Sequence, residues 1–108
     1  MNAEINTLLE VISRDFADYK ARSEYGSPSD YDEFLNNLSV EEGRKYLKVT
    51  KKLGTQTMVW GFIMKEDDKK FKKGDILKAA SWSAPARNKA RGNIFEQYDV
   101  RWTGPNYL

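Results

Sequence analysis

Residues 46–64 read YLKVTKKLGTQTMVWGFIM, and this stretch decides the fold. Apolar and polar side chains alternate with a period of two on either side of Leu53 and Gly54, which is typical of two β-strands joined by a tight turn. Both faces of the second strand are apolar, so we expect it to be central in its sheet and to bury Trp60. Gly61 is expected to mark a bend or bulge in this strand. The pattern therefore predicts a β-hairpin at the centre of the domain.

The strand pattern continues towards the C-terminus with one interruption. Residues 71–77 predict a Gly-Asp turn that leads into a third strand, and residues 94–102 predict a last strand or a pair of strands. Between them, residues 79–93 break the alternation over about fifteen positions, which is longer than a compact domain normally carries without a purpose. The need to build a core does not explain this loop.

The N-terminal part of the chain has helical periodicity instead. Apolar residues three or four positions apart predict an amphipathic helix over residues 3–21. A second helix is predicted to begin after Ser29, where acidic residues fill the first turn. Residues 39–42 match a capping-box pattern, so a very short third helix or a turn that ends at Gly43 is predicted. We therefore expect an α+β fold, with N-terminal helices packed on a small antiparallel β-sheet or partly open β-barrel of about four or five strands.

Length and composition exclude several classes of protein. The 108 residues fit a single domain, with an acidic helical segment, 1–43, and a basic β-rich segment, 44–108. The sequence contains no cysteine and no histidine, which excludes disulfides, thiolate chemistry and Ser-His or Cys-His triads. No apolar run is long enough to span a bilayer, and the acidic N-terminus lacks the charge of a secretory signal. We expect a cytoplasmic protein with no metal, no cofactor and no membrane contact.

Charge is the strongest signal in the composition. Residues 1–43 contain ten acidic and three basic residues, a net charge of −7, whereas residues 44–108 contain fifteen basic and six acidic residues, a net charge of +9. Residues 69–91 carry eight basic residues against the single acid Asp75. Such asymmetry is typical of a protein that presents a basic face to a polyanion. The alternative is that the acidic helices neutralise the basic sheet within the monomer.

The basic loop combines the residue types that bind single-stranded nucleic acid. Lysine and arginine contact phosphates, an exposed aromatic ring stacks on bases, and asparagine or arginine reads base edges. The alternative for Trp82 is that its ring tucks under its own loop as a lid on the sheet, and Trp102 is expected to join the core. The loop matches no diagnostic nucleic-acid-binding module. The predicted contact residues are Lys72, Lys73, Lys78, Trp82, Arg87, Asn88, Lys89 and Arg91.

Catalysis has little support in the sequence. The adjacent pairs Glu41-Glu42 and Asp67-Asp68 have side chains that point apart on a strand or helix, so neither pair predicts a shared-proton dyad. Both pairs are interpreted as cap and turn residues, and the sequence contains no phosphate-binding glycine loop and no calcium loop. We therefore predict no catalytic residue, and an enzyme is not the expected function.

Part of the chain resembles small uncharacterised proteins encoded by tailed bacteriophages. The resemblance rests on residues 73–95, KGDILKAASWSAPARNKARGNIF, and on the closing VRWTGPNYL. It covers about residues 46–108 and leaves the acidic helices unmatched. The resemblance implies a protein made in the bacterial cytoplasm, where accessory chains of this size bind host factors, nucleic acids or defence components. It assigns no activity and no site residue.

The sequence leaves three functions open. The first is non-enzymatic binding of nucleic acid, with single strands favoured, through the loop that contains Trp82. The second is inhibition or modulation of a host enzyme or defence complex, which would bind the acidic helices, the basic loop or both, with acidic helix residues that mimic the spacing of phosphates. The third is binding of a nucleotide or other small ligand in a pocket under residues 79–93. The sequence does not decide the partner, the choice between DNA and RNA, or the oligomeric state. The acidic helix residues that would mimic phosphates in the second function are Asp15, Asp18, Asp30, Asp32 and Glu33.

Overall fold

The computed structural model describes residues 1–105, which form two helices, a four-stranded sheet and a two-stranded ribbon. The sheet has the strand order β1-β2-β3-β4 with antiparallel neighbours, and β5 pairs with β6. The predicted α+β fold is confirmed, and the described residues form an open sheet rather than a closed barrel. The elements are α1 (Asn2–Ala21), α2 (Asp30–Asn36), β1 (Leu38–Glu42), β2 (Tyr46–Leu53), β3 (Gln56–Met64), β4 (Ile76–Leu77), β5 (Val100–Arg101) and β6 (Gly104–Pro105).

The two longer helical patterns and the central hairpin are confirmed. Helix α1 buries Ile5, Leu8 and Ile12 on one stripe, as its 3.6-residue period requires. Strands β2 and β3 meet at Gly54, whose φ of 62° lies in the left-handed region that glycine adopts without steric cost. Strand β3 lies between β2 and β4, so its predicted central position is also confirmed.

The short third helix or turn predicted for residues 39–42 is wrong, and so is the interpretation of Glu41 and Glu42 as cap residues, because these residues belong to strand β1. The strand pairs along its whole length with β2, from Leu38 opposite Lys51 to Glu42 opposite Leu47. A helix of four residues forms too few hydrogen bonds to offset the cost of its nucleation. In contrast, the edge of β2 offers a complete row of backbone groups to the same residues. The acidic segment is therefore helical only as far as α2.

A β-bulge in β3 turns Trp60 towards the helices. The register shifts by one residue between the pairs Val49–Gly61 and Thr50–Val59, so Trp60 is the extra residue. Its side chain is 1% exposed, and its indole N–H donates to a carbonyl oxygen of β5 at 2.8 Å. A side chain at residue 61 would come within 3.0 Å of a main-chain oxygen of β4, which explains the glycine at the bulge.

The two faces of the sheet are covered differently. The helix face is the side that packs against α1 and α2, and the loop face is the opposite side, covered by residues 65–75 and 78–93. Trp102 lies at the margin of the helix face, where its ring contacts Phe16 edge-on at a centroid distance of 5.2 Å. The helix-face core consists of Ile5, Leu8, Ile12, Phe34, Leu38, Val49, Trp60, Ile63, Ile76, Ile94 and Val100. The loop-face core consists of Phe62, Met64, Phe71 and Leu77.

Candidate functional site

The predicted basic loop forms a small hairpin-like turn on the loop face. Ala79 and Pro85 form a single β-bridge, and the N–H groups of Ala80 and Ser81 both donate to the Ala84 carbonyl, at 3.0 and 3.1 Å. These bonds place residues 82 and 83 at the tip of the turn. The irregular sequence that broke the strand pattern is therefore an ordered projection.

Arg87 fastens this projection to the sheet. Its guanidinium donates to the Tyr46 hydroxyl at 2.6 Å and to Asp68 Oδ2 at 2.6 Å, and it lies 4.8 Å from the centre of the Phe71 ring. The bond with Asp68 raises the pKa of Arg87. Arg87 is thus a positioning residue for the loop, because both Nη atoms donate hydrogen bonds within the chain, while 37% of the side-chain surface stays exposed.

Asp68 is the acidic partner of Arg87 in this contact between the loop and the sheet. Its Oδ1 accepts the backbone N–H groups of Phe71 and Lys70, at 2.7 and 2.8 Å, and its Oδ2 accepts Arg87 and lies 3.1 Å from the Lys45 ammonium. These backbone donors first, and then the guanidinium, hold the pKa of the carboxyl well below its usual range. The interpretation of Asp68 as a turn residue is confirmed, and its link to the basic loop is a feature that the sequence did not reveal.

Trp82 projects from the tip of the loop. Its side chain is 52% exposed, and the ammonium of Lys48 lies 4.4 Å from the ring centre. The alternative in which the ring tucks under its own loop does not fit this exposure. The ring therefore keeps about half of its surface in water and has a cation at a distance typical of a cation–π contact.

Apart from Arg91, the remaining predicted contact residues fall into two places. Lys78, Asn88 and Lys89 flank the loop that carries Trp82, with Lys78 half-buried and the other two exposed. Lys72 and Lys73 instead lie at the far end of the sheet, where Lys72 is 3.6 Å from Glu96 and the Lys73 carbonyl accepts from Asn93 at 2.9 Å. The structure therefore does not bring all eight residues to one surface.

Arg91 is the clearest departure from the predicted contact set. Arg91 is 4% exposed, and its backbone N–H donates to the Ile76 carbonyl at 2.7 Å along the edge of β4. The prediction that Arg91 binds phosphate does not fit this burial. The sequence analysis assigned Arg91 to phosphate contact because of its charge and its place in the basic loop, and neither property reveals burial.

Lys48 and Lys52 are cations of the loop face that the sequence analysis did not single out. Both lie on strand β2, four residues apart, and therefore on the same face of the sheet. The signal that could have found them is the alternation of β2 itself, which places Tyr46, Lys48, Thr50 and Lys52 on one side.

The acidic residues of the helices are only partly engaged within the chain. Asp15 accepts the Trp102 N–H at 2.8 Å and lies 3.8 Å from Arg101, and Asp30 accepts the Ser27 N–H at 2.7 Å. These two residues serve the fold, whereas Asp18, Asp32 and Glu33 are exposed. Among the described residues, ion pairs shorter than 4 Å between the acidic and basic segments are Asp15–Arg101, Glu41–Lys48 and Glu42–Lys65. Internal neutralisation is therefore partial.

Two cavities lie on either side of the loop tip. One, of about 380 Å³, lies between the β1–β2 turn and Ser83, and its floor includes Tyr46 and Phe62. The other, of about 330 Å³, lies between β3 and the residues from Ala79 to Trp82. A larger cavity of about 670 Å³ lies elsewhere, between α1 and residues 91–99. The pocket predicted under the loop is thus represented by two shallow clefts that Trp82 separates.

The described residues carry no cluster of acidic side chains suited to holding a metal ion. Within residues 1–105, no helix has the length and apolar character needed to cross a membrane.

The fold and this site define a small α+β domain with an aromatic and basic projection on one face of an open sheet. Residues 2–106 match the model of a protein family described as a family of unknown function, DUF7717, and the chain belongs to that family. No curated protein and no solved structure matches the chain.

Proposed function

We propose that the protein binds single-stranded nucleic acid on its loop face, with Trp82 stacking on a base. The observation that supports this proposal most is the half-exposed indole with the Lys48 ammonium at 4.4 Å. Aromatic stacking on a base contributes about 1–3 kcal/mol and tolerates any base, because every base has a π face. A solitary stacking platform among lysines fits a ligand that is recognised without a sequence code.

The phosphate contacts in this proposal come from lysines of the loop face. Lys48 and Lys52 lie on β2, where the Lys48 side chain is 17% exposed with its ammonium beside Trp82, and Lys78 and Lys89 flank the projection. Arg87 and Arg91 are left out of this set, since Arg87 holds the loop and Arg91 is buried. Four phosphate contacts would give a slope of about −2.8 in a plot of log affinity against log salt concentration.

The charge separation also supports the proposal. Asp18, Asp32 and Glu33 are exposed acidic residues of the helices, which cover the opposite face of the sheet from the Trp82 loop, whereas Glu41 and Glu42 of β1 are exposed beside the cleft at Ser83. The acidic helices would disfavour binding of a polyanion on the helix face. Binding in a bacteriophage context remains a hypothesis based on the resemblance of residues 46–108.

Fluorescence anisotropy of a labelled single strand, measured at several salt concentrations, tests this function. Trp82→Ala should weaken binding by about tenfold, the factor expected from one lost stacking contact. Lys48→Gln should weaken binding and reduce the salt slope by about 0.7. Tyr25→Ala is the matched control, because Tyr25 is an exposed aromatic residue outside the loop face. Equal binding by the wild type and Trp82→Ala, or a slope near zero, would refute the proposal.

A protein partner for the acidic helices is the competing function. Of the five acidic residues considered for this function, Asp15 and Asp30 accept hydrogen bonds within the chain. Pull-down from bacterial lysate with and without nuclease separates the two functions. Material bound through nucleic acid is lost after nuclease treatment, whereas a directly bound protein is retained.

A further inference from the structure

The two edges of the four-stranded sheet differ in how they are protected. At the β4 edge, Ile76 donates its N–H to the Gly92 carbonyl at 2.8 Å and accepts the Arg91 N–H at 2.7 Å, so irregular chain covers this edge. At the other edge, β1 has a sheet neighbour, β2, on one side, and within residues 1–105 no strand lies on its other side. An open edge of this kind can pair with a further strand.

The hydrogen bonds at both ends of the β1–β2 pair show which backbone groups point outward. The Gly43 N–H donates to the Tyr46 carbonyl at 2.9 Å, and the Lys52 N–H donates to the Asn37 carbonyl at 3.0 Å. Because bonded and non-bonded pairs alternate in an antiparallel ladder, Ser39 and Glu41 direct their backbone groups towards β2. Leu38, Val40 and Glu42 therefore direct theirs away from the sheet.

We propose that two copies of the chain associate through β1, antiparallel, around a two-fold axis at Val40. This register pairs all five residues of the strand. Val40 lies opposite Val40 of the second copy, and Leu38 lies opposite Glu42. The three residues with outward backbone groups each contribute one N–H and one C=O, so the pairing forms six hydrogen bonds between the copies. The contact is isologous and closed, as is usual for homodimers.

The side chains fit this register. Val40 is one of the exposed large apolar residues and borders a groove of about 380 Å³ between α1 and β1, lined by Ile5, Leu9 and Leu47 among others. In the dimer, Val40 of the second copy lies beside this groove and covers its apolar lining. Glu41 lies opposite Ser39 rather than opposite a second glutamate.

The acidic residues of β1 do not oppose this pairing strongly. Charged side chains on an edge strand usually prevent association of edges. Here Glu42 Oε2 lies 2.7 Å from the Lys65 ammonium, which lowers the pKa of the glutamate, and Glu41 lies 3.9 Å from the Lys48 ammonium. Each carboxylate therefore has a cation within its own copy.

The dimer would place both loop faces on the same side of one eight-stranded sheet, because the axis of an antiparallel pair is perpendicular to the sheet. The two β2 strands would then be three strand spacings apart, about 14 Å. Each carries Lys48 with its adjacent Trp82. The dimer itself does not depend on nucleic-acid binding, and it would double the binding surface if that function holds.

Multi-angle light scattering of wild type and two Val40 variants tests the interface. At about 100 µM, wild type should have twice the monomer mass of 12.5 kDa, and dilution should shift it towards the monomer. Val40→Pro should give a monomer with an unchanged circular dichroism spectrum, because the lost N–H points away from β2. Val40→Thr keeps this N–H and should remain dimeric. A monomeric wild type, or a dimeric Val40→Pro, overturns the proposal.

Disulfide trapping provides a second test that does not require Val40→Pro to fold. The chain contains no cysteine, so a single introduced thiol reports one contact. Val40→Cys should form a disulfide-linked dimer on mild oxidation, since paired residues have Cα atoms about 5.5 Å apart, within the range of a disulfide. Thr57→Cys, an exposed position on β3, should stay monomeric. Equal rates of cross-linking in the two variants overturn the interface at β1.

Discussion

The two faces of the sheet are stabilised by different kinds of contact. Among the described residues, eleven buried apolar residues form the helix-face core, whereas four form the loop-face core. The loop face depends in addition on one polar fastening, the bonds from Arg87 to Tyr46 and Asp68. Burial on the helix face supplies most of the apolar contribution to stability. The loop face is consequently able to carry exposed side chains, such as Trp82, that packing does not require.

Substitution of one tryptophan on each face should give the largest difference in the free energy of unfolding. Trp60→Ala should destabilise the protein by about 3–5 kcal/mol, because it leaves a cavity in the helix-face core and removes the bond to β5. Trp82→Ala should change the free energy of unfolding by less than about 0.5 kcal/mol, as is usual for an exposed side chain. Urea unfolding followed by circular dichroism measures both. Similar losses for the two variants would show that the loop face is as important for stability as the helix face.

A smaller difference in the free energy of unfolding is expected between substitutions of two neighbouring lysines of β2. Lys51 is 5% exposed, and its ammonium donates to the Trp102 and Thr103 carbonyls at 3.0 and 3.1 Å. Lys51→Met leaves both carbonyls without this donor and should lower the free energy of unfolding by about 1–3 kcal/mol. Lys52→Met, an exposed control, should have little effect. No loss in Lys51→Met would mean that water replaces the lysine at these carbonyls.

The helices and the hairpin could be predicted from the sequence because their periodicity follows directly from which side chains are buried. The face of the sheet on which Trp60 lies could not be predicted, since a single bulge reverses the alternation of side chains beyond it. Strand β1 was missed because pairing with β2 overrides a local capping pattern. The two arginines of the loop, Arg87 and Arg91, were assigned to solvent by their charge, and their engagement depends on residues distant in the sequence. Local patterns thus predicted the elements, and long-range contacts decided the site.

Removal of the Arg87 hydrogen bonds should increase local opening on the loop face and leave the helix face unchanged. Arg87→Met removes the bonds to Tyr46 and Asp68. Amide exchange at Ala86, whose N–H donates to the Lys78 carbonyl at 2.7 Å, should accelerate by roughly tenfold, while exchange in α1 stays the same. Arg44→Met, in the exposed β1–β2 turn, is the control. Uniform acceleration throughout the chain would show that the two faces unfold together.

The smallest expected effect is the pH dependence that Asp68 gives to the loop face. Its pKa in the folded protein lies below the ordinary aspartate value of 3.8, so its contribution to stability is complete above that value. As the pH falls below 3.8, the unfolded chain takes up the proton first, and the contribution is lost as the pH passes through the folded pKa. The difference in unfolding free energy between wild type and Asp68→Asn should therefore be constant near neutral pH and narrow in acid. In the Arg87→Met background, this narrowing should be smaller and should be complete at a higher pH, because the folded-state pKa of Asp68 rises towards the ordinary value when the guanidinium is removed. A difference that does not change with pH would mean that Asp68 acts through loop geometry rather than through its charge.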